Sequence, residues 1–565
     1  MRSLTVSVLL GGMSVVWLNS TFRAIMTIKQ KAEVGKTFYE TTSILLLGLV
    51  GLAAPAATAG AVCLDKSRGN LTLLFATDLS NSEIVLGKLA ARLVPVLGLI
   101  LCAAPVLSIA TLFGGIDPVG LAGALLVILS CAVFGCSLAL TLSIWGKKTH
   151  EVLLATYAFG ILYLLAAPIV AGIRAMLPPG WWTPWLPTFT DLLRYHPVFL
   201  ILAAGFGGPP GMAPVTFETQ ATFFALGTGA SILLIGASAW RIRTVVIRQE
   251  GRGATRRLTW PGWLPGSNAF PGLSLDGNPV LWRECQRKRP SGWGLAVWGA
   301  YFLICGLFSV YSISEMAGGS RWGLELGVVV NCMQVGCGLL LLSVSAATSL
   351  AEERQRGSLD VLLATPLPTR SIVWGKWWGS FRAVPMLVML PGLVTTAQSM
   401  HSGHVWGPAL MTALILAYGA ALTSLGLAVA TWVPRMSRAV GSTVGIYVFM
   451  SLGWIPLAMI LFGDRPSDHG VGVASASPFM GVGMYSSVLA GSAPSSQVVS
   501  QTLWTLFWTI AYSLIALALL FATHATFNQS LGRLDHALLF DDEDDYALGR
   551  RPAKLPEVEL TPWSG

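Results

Sequence analysis

Charge is what this chain has least of. Only 11% of its 565 residues are Asp, Glu, Lys or Arg, against about 25% in an ordinary soluble domain. With 54% apolar residues and a mean hydropathy of +0.66, it lacks the polar surface that would keep it dissolved. Lipid must therefore solvate much of it. Paired cysteine spacings are missing too. The eight cysteines contain no C-x-x-C, and Cys102, Cys131, Cys136, Cys305, Cys332 and Cys337 lie in apolar runs. Small helix-packing thiols fit them better than a zinc or redox framework. No G-x-x-x-x-G-K-[ST] loop is present to cradle a phosphate: Gly87-Lys88 and Gly375-Lys376 lack the first glycine and the hydroxyl residue. H-E-x-x-H and G-x-S-x-G are also absent, so no hydrolase is read from the chain. Charges are scarce inside the apolar runs, which argues against a proton relay and hints at an apolar or amphipathic cargo.

What the chain has in abundance is apolar length. Runs of about 20 apolar residues cross the hydrocarbon core as helices, and open sheet edges are excluded there. The expected fold is an all-α polytopic membrane protein with about twelve spans. They fall at 4–20, 42–63, 93–113, 118–145, 151–173, 221–240, 294–313, 325–350, 380–398, 406–432, 440–462 and 503–523. The first run follows Met1-Arg2 as a secretory signal would, but no small-x-small cleavage site follows it. It is read as a retained span.

The formal net charge of +9 matters less than its placement. Segments 64–92, 146–150, 241–289, 351–382 and 433–438 are rich in Lys and Arg, including Lys147, Lys148, Arg241, Arg243, Arg248, Arg252, Arg256, Arg257, Arg435 and Arg438. They alternate correctly to share one side, which the positive-inside rule makes cytoplasmic. The expected location is the cytoplasmic (inner) membrane. Loop 21–41, with Arg23, Lys29, Lys31 and Lys36, falls on the other side against that rule.

The chain also repeats itself. Residues 68–88 read RGNLTLLFATDLSNSEIVLGK and residues 356–376 read RGSLDVLLATPLPTRSIVWGK, about half identical without a gap. Each copy lies between the second and third spans of its half, so duplication of a six-span unit is expected. A weaker echo pairs His196-Pro197-Val198-Phe199 with Ser477-Pro478-Phe479, as short re-entrant or interfacial elements. The resulting domains are 1–240, a first six-span unit; 241–277, a cytoplasmic linker; 278–525, a second unit; and 526–565, a tail with the acidic run Asp541–Asp545. The second unit opens with Asn278-Pro279-Val280-Leu281-Trp282-Arg283-Glu284, read as an amphipathic helix on the inner leaflet. Sliding the register back sets its counterpart before Met1.

The repeated loop has a physical oddity. After the charged burst Ala351-Glu352-Glu353-Arg354-Gln355-Arg356-Gly357, apolar Leu359, Val361, Leu362, Leu363 and Leu367 return, over a stretch too short to span. An apolar helical patch at a membrane face needs cover, from a partner or from the bundle's own ends. Pro366 then breaks the helix, and Gly375-Lys376-Trp377-Trp378 opens the next span with interfacial residues.

Glu352-Glu353-Arg354-x-Arg356-Gly357-x-Leu359-x-x-Leu362-Leu363-x-Thr365-Pro366-Leu367, ending in Gly375-Lys376, resembles the cytoplasmic signature of ABC transporter permeases of the type 2, exporter-like class. Asn278-Pro279-Val280-Leu281 resembles that family's connecting helix and Pro478-Phe479 its outer motif. The resemblance covers 64–240 and 278–525 as two fused copies. It implies a permease subunit that couples ATP hydrolysis by a separate ABC ATPase, as two copies or a pair, to export of an unnamed substrate. ATP and magnesium would sit on that partner, with no cofactor on this chain and no nucleic-acid role. It further implies an ATPase-docking surface at Glu352, Glu353, Arg356, Gly357 and Leu359, with Arg283 and Glu284 nearby, and at Asp65, Arg68 and Gly69 in the first copy. There Asp78 stands where the family has proline, so that first site is expected to differ.

Other candidates are weaker. His401 and His404 are too few to hold a metal. Asn331 and Gln334 suit hydrogen bonding between helices better than a substrate contact. The rival functions are a complex that does mechanical or envelope-assembly work without moving a solute, and a non-transporting membrane scaffold.

Overall fold

The structure, a computed structural model, describes residues 28–532 except 68, 113–115, 147–148, 165, 177–179, 181–186, 207–214, 251–277, 285–291, 356, 456 and 459–468. The described residues are helical, with no strand among them. In the first half, α1 (Ile28–Thr58) continues after a turn at Ala59 as α2 (Gly60–Ser67). Then come α3 (Asn70–Phe75), α4 (Asn81–Leu112), α5 (Pro118–Trp145) and α6 (Thr149–Leu164). The half ends with α7 (Ala166–Met176), α8 (Phe189–Arg194), α9 (Pro197–Phe206) and α10 (Phe217–Glu250). After 251–277, the second half runs α11 (Pro279–Trp282), α12 (Gly292–Ala317), α13 (Arg321–Gln355), α14 (Ser358–Leu363), α15 (Thr369–Phe381), α16 (Val384–Ser402) and α17 (Gly407–Trp432). It closes with α18 (Met436–Val448), a π turn at Phe449–Gly453, α19 (His469–Ala474), α20 (Pro478–Leu489) and α21 (Ser495–Leu531).

Among the described residues, nine helices are long and apolar enough to cross a membrane, and they coincide with nine of the twelve expected spans. The chain is therefore a multi-pass membrane protein. Run 4–20 lies outside the described residues, 151–173 is divided between α6 and α7, and 440–462 enters α18, the π turn and residues outside the description. Lys29, Lys31 and Lys36, in the loop that breaks the charge rule, lie on α1 before its apolar part.

Proline and small polar caps start these helices as physics requires. Pro118, Pro197, Pro279 and Pro478 stand at helix starts, where a missing N–H costs nothing. Asn278 and Ser477 cap α11 and α20, accepting from Val280 N and Met480 N.

The halves pack by the same scheme. The last long helix embraces the second span after the repeated loop, α10 on α5 and α21 on α17, and the span before the loop packs beside it, α1 on α5 and α13 on α17. Across the seam α1 meets α18, while α13 meets α6. In the register of the repeated loop, α1 matches α13 and α6 matches α18, so the contact is reciprocal, as in an isologous dimer. A Cβ at Gly48 would touch Val448 at 3.6 Å, and one at Gly453 would touch Leu45 at 3.5 Å. One core cluster stays within the first half. A second, centred on α13 and α17, draws in Ala56, Ala59, Cys63, Val152, Leu153, Leu154 and Tyr157 from across the seam, and a small third one gathers Met316, Val330 and Val394.

Candidate docking face and its ion cluster

Both copies of the repeated loop lie at the end of the bundle that carries the basic segments, and both fold alike. Gly69 and Gly357 each adopt a left-handed turn, with φ of +70° and +71°, a conformation that needs no Cβ. Each turn leads into a six-residue helix, α3 or α14. Its first leucine, Leu71 or Leu359, is buried in the bundle. The residue two further on points out: Leu73 is 71% exposed and Val361 70%. The apolar stretch that seemed to need a partner's cover is thus mostly covered by the chain itself, Leu362 included. What stands furthest outward is one apolar knob per helix, beside Asp360, Ala364, Pro366 and Arg370 in the second copy and Ala76, Thr77, Asp78 and the exposed Leu79 in the first.

The base of each loop is closed by an ion pair at the same spacing in sequence. Lys88 donates to Asp65 and also to the Ala61 carbonyl. Its counterpart is Lys376, whose Nζ lies 2.6 Å from Glu353 Oε2. A second tie recurs beside it. Lys66 donates at 2.7 Å to the Ile144 and Gly146 carbonyls at the end of α5, and Arg354 donates at 3.3 Å to the Thr431 carbonyl at the end of α17. These bonds satisfy carbonyls that a helix terminus leaves open.

The second base is larger. Lys376 Nζ also lies 2.5 Å from Glu284 Oε1, at the end of α11. Arg283 approaches Glu353 Oε1 at 3.7 Å. Lys376 is 1% exposed and both carboxylates are buried, so one enclosed ammonium sits between two enclosed acids, while Arg283 keeps 39% of its side chain exposed at the edge of the cluster. Lysine at a membrane face usually snorkels to water. Lys376 does not, because two carboxylates are within reach inside. Removing one partner from such a buried set costs roughly 3–5 kcal/mol, because a charge is then left unpaired in low dielectric. Two glycines let α11 approach: a Cβ at Gly375 would lie 2.9 Å from Leu281 N, and one at Gly379 would lie 2.9 Å from Glu284 Cβ. Asn278 Nδ2 adds a bond to the Ser371 carbonyl at 3.0 Å. Outward of the cluster, Trp377 stacks on Phe381 at 4.6 Å and donates to Ser424 Oγ at 2.9 Å.

The expected docking residues therefore divide. Glu353, Glu284 and Leu359 are turned into the bundle rather than outward, the two acids because a buried ammonium requires them. Arg283 is half-exposed against Glu353, and Glu352 is half-buried. Gly357 and Gly69 are exposed, and Asp65 is paired to Lys88. Arg356 and Arg68 lie outside the described residues. The sequence reading of Lys376 as an interfacial residue misses this role, and Lys88 enters that reading only as part of a rejected phosphate loop. The signal was available: an acid stands at the same distance before the lysine in both copies.

Farther along the membrane, Asn331 on α13 donates to Ser486 Oγ on α20 at 2.9 Å, and Ser486 donates to Gln398 Oε1 on α16 at 2.9 Å. Gln334 donates to Ser309 Oγ and to the Cys305 carbonyl on α12. These residues join helices, as their position inside spans requires. Among the described residues no group of three or more His, Cys, Asp or Glu side chains is placed to hold a metal.

The geometry defines a multi-pass helical membrane protein with two matching helical loops at its basic face. Residues 335–530 match the family model described as ABC-2 family transporter protein, so most of the second half carries the pattern of an ABC-2 type permease. No curated protein matches the chain.

Proposed function

We propose that the chain is the permease of an ATP-driven exporter, built as two tandem six-span units in a cytoplasmic (inner) membrane, with the basic face inside. Each unit offers one docking helix, α3 or α14, to an ABC ATPase supplied by another chain, which binds ATP and magnesium. Closure of the two ATPase subunits pushes on these helices, the halves rock about the α1–α18 and α6–α13 seam, and the substrate leaves on the far side. The observation that carries the reading is the paired knob. Leu73 and Val361 stand equally exposed at matched positions, each on a helix whose other apolar residues are covered. A single apolar side chain held out of a fixed base suits insertion into a pocket of a partner. The match of 335–530 to the ABC-2 transporter family supports the same reading, as do the matched ion pairs and the reciprocal seam.

The test is retention of the ATPase when the full chain is purified from its own membrane. Val361→Asp and Leu73→Asp are expected to lower retention several-fold each, and together to abolish it, while the chain's own level stays unchanged because both side chains are exposed. Equal retention by all four forms would sink the docking reading.

A further inference from the structure

We propose that Lys376 is a positioning residue that fastens α11 to the base of the second docking loop, so that α11, α14 and the start of α15 move as one body. This rests on the reading of α14 as a docking helix. The inference begins from where the loop's ends lie. Glu353 precedes α14 and Lys376 follows it, so their 2.6 Å contact closes the loop at its base. The first copy has that closure in Lys88 and Asp65. Among the described residues, only the second adds a third element: Glu284, at the end of α11, shares the same ammonium at 2.5 Å.

Three features make the joint stiff. The ammonium is 1% exposed, so neither carboxylate can exchange it for water without opening the packing around it. The acids come from two different elements, so separating α11 from the loop leaves Glu284 buried without its cation. Finally, α11 lies directly on Gly375 and Gly379, where any Cβ would collide with it. At Gly87, the position matching Gly375, a Cβ would meet nothing within 4 Å among the described residues. The consequence is mechanical. A push on Val361 reaches α13 and α15 through the closed base and reaches α11 through Glu284. Among the described residues, the first loop delivers its push through Asp65 and Lys88 and through Lys66 to the end of α5.

Amide exchange on the full chain in lipid nanodiscs, without and with its co-purified ATPase, tests this. In Glu284→Gln the Lys376–Glu353 contact remains. Exchange at Val280–Trp282 is expected to accelerate at least tenfold, with α14 and the spans unchanged. In Lys376→Met both α11 and α14 are expected to loosen. If that variant fails to fold, Glu284→Gln carries the test alone. In the complex, Glu284→Gln is expected to retain the ATPase and to lower the maximal rate of ATP hydrolysis about tenfold at unchanged KM for ATP, because the nucleotide site lies on the partner. Exchange at α11 that stays within twofold of wild type overturns the proposal whatever the ATPase does. A loosened α11 with an unaltered maximal rate overturns the positioning role. If α11 loosens as expected but no form of the chain retains an ATPase, the docking reading fails and the joint between α11 and the loop stands.

Discussion

The two loop bases differ in how much they bury around one ammonium. In the first half Lys88 and Asp65 keep 18% and 27% of their side chains in water, and nothing described lies over Gly87. In the second, Lys376 is almost wholly enclosed and serves two acids, while α11 covers Gly375 and Gly379. The loops above these bases are nonetheless alike, down to the left-handed glycine and the outward apolar knob. The comparison separates two tasks. The left-handed glycine and the outward apolar knob recur in both copies, as two like partners would require, while Asp78 and Ser82 stand where the second copy has Pro366 and Arg370. Among the described residues, the inward base is elaborated in only one, where a further segment of chain is tied on.

The largest expected difference is in the cost of removing the ammonium. Lys376→Met takes the ammonium from between two buried carboxylates and should cost about 3–5 kcal/mol. Lys88→Met breaks a pair that water already screens and should cost about 1 kcal/mol or less. Thermal unfolding of the two variants in the same detergent measures this, and equal losses would erase the distinction between the bases.

A second contrast concerns the matched glycines, and here the sign should reverse. Gly375→Ala drives a methyl to within 2.9 Å of the Leu281 backbone nitrogen, a collision costing about 1–3 kcal/mol. Gly87→Ala adds a methyl in open space within α4, and should stabilise by up to about 1 kcal/mol through helix propensity. Stabilisation by both would mean that α11 does not rest on α15 as described.

How much of this was legible from the sequence follows from which forces leave local marks. Apolar run length marks a span directly, so nine spans coincide with the structure. The loops were found because Gly69 and Gly357, and the leucines after them, recur in register. Which way a side chain faces leaves a weaker mark. Glu353 lies in a run of charges that reads as a solvated surface, and its inward turn depends on Lys376, which arrives from the next helix, and on Arg283 and Glu284, from beyond another span. The family resemblance names a stretch of chain, not the face each residue presents. The reciprocal seam was hidden too. α6 and α13 show almost no apolar asymmetry around their axes, so no stripe distinguishes their face toward the other half from their face toward lipid.

The smallest predicted effect lies inside the membrane and again divides the halves. Asn331, Gln398 and Ser486 tie α13, α16 and α20 together by side-chain hydrogen bonds, and Gln398 also donates to the Leu324 carbonyl at 3.1 Å. In the loop register the first half has Ser43 and Ala110 where the second has Asn331 and Gln398. An alanine cannot join such a triad, so α4 packs on α1 by shape alone at that level. Gln398→Leu keeps volume and removes the bonds, and should cost about 1 kcal/mol, the scale measured for polar contacts between membrane helices. Asn331→Leu should cost a similar amount, and the double variant less than the sum, because the two residues belong to one network. Unfolding of the single and double variants in mild detergent reads the coupling. Strict additivity would mean that the three side chains are separate and that the second half owes nothing to this network that the first half lacks.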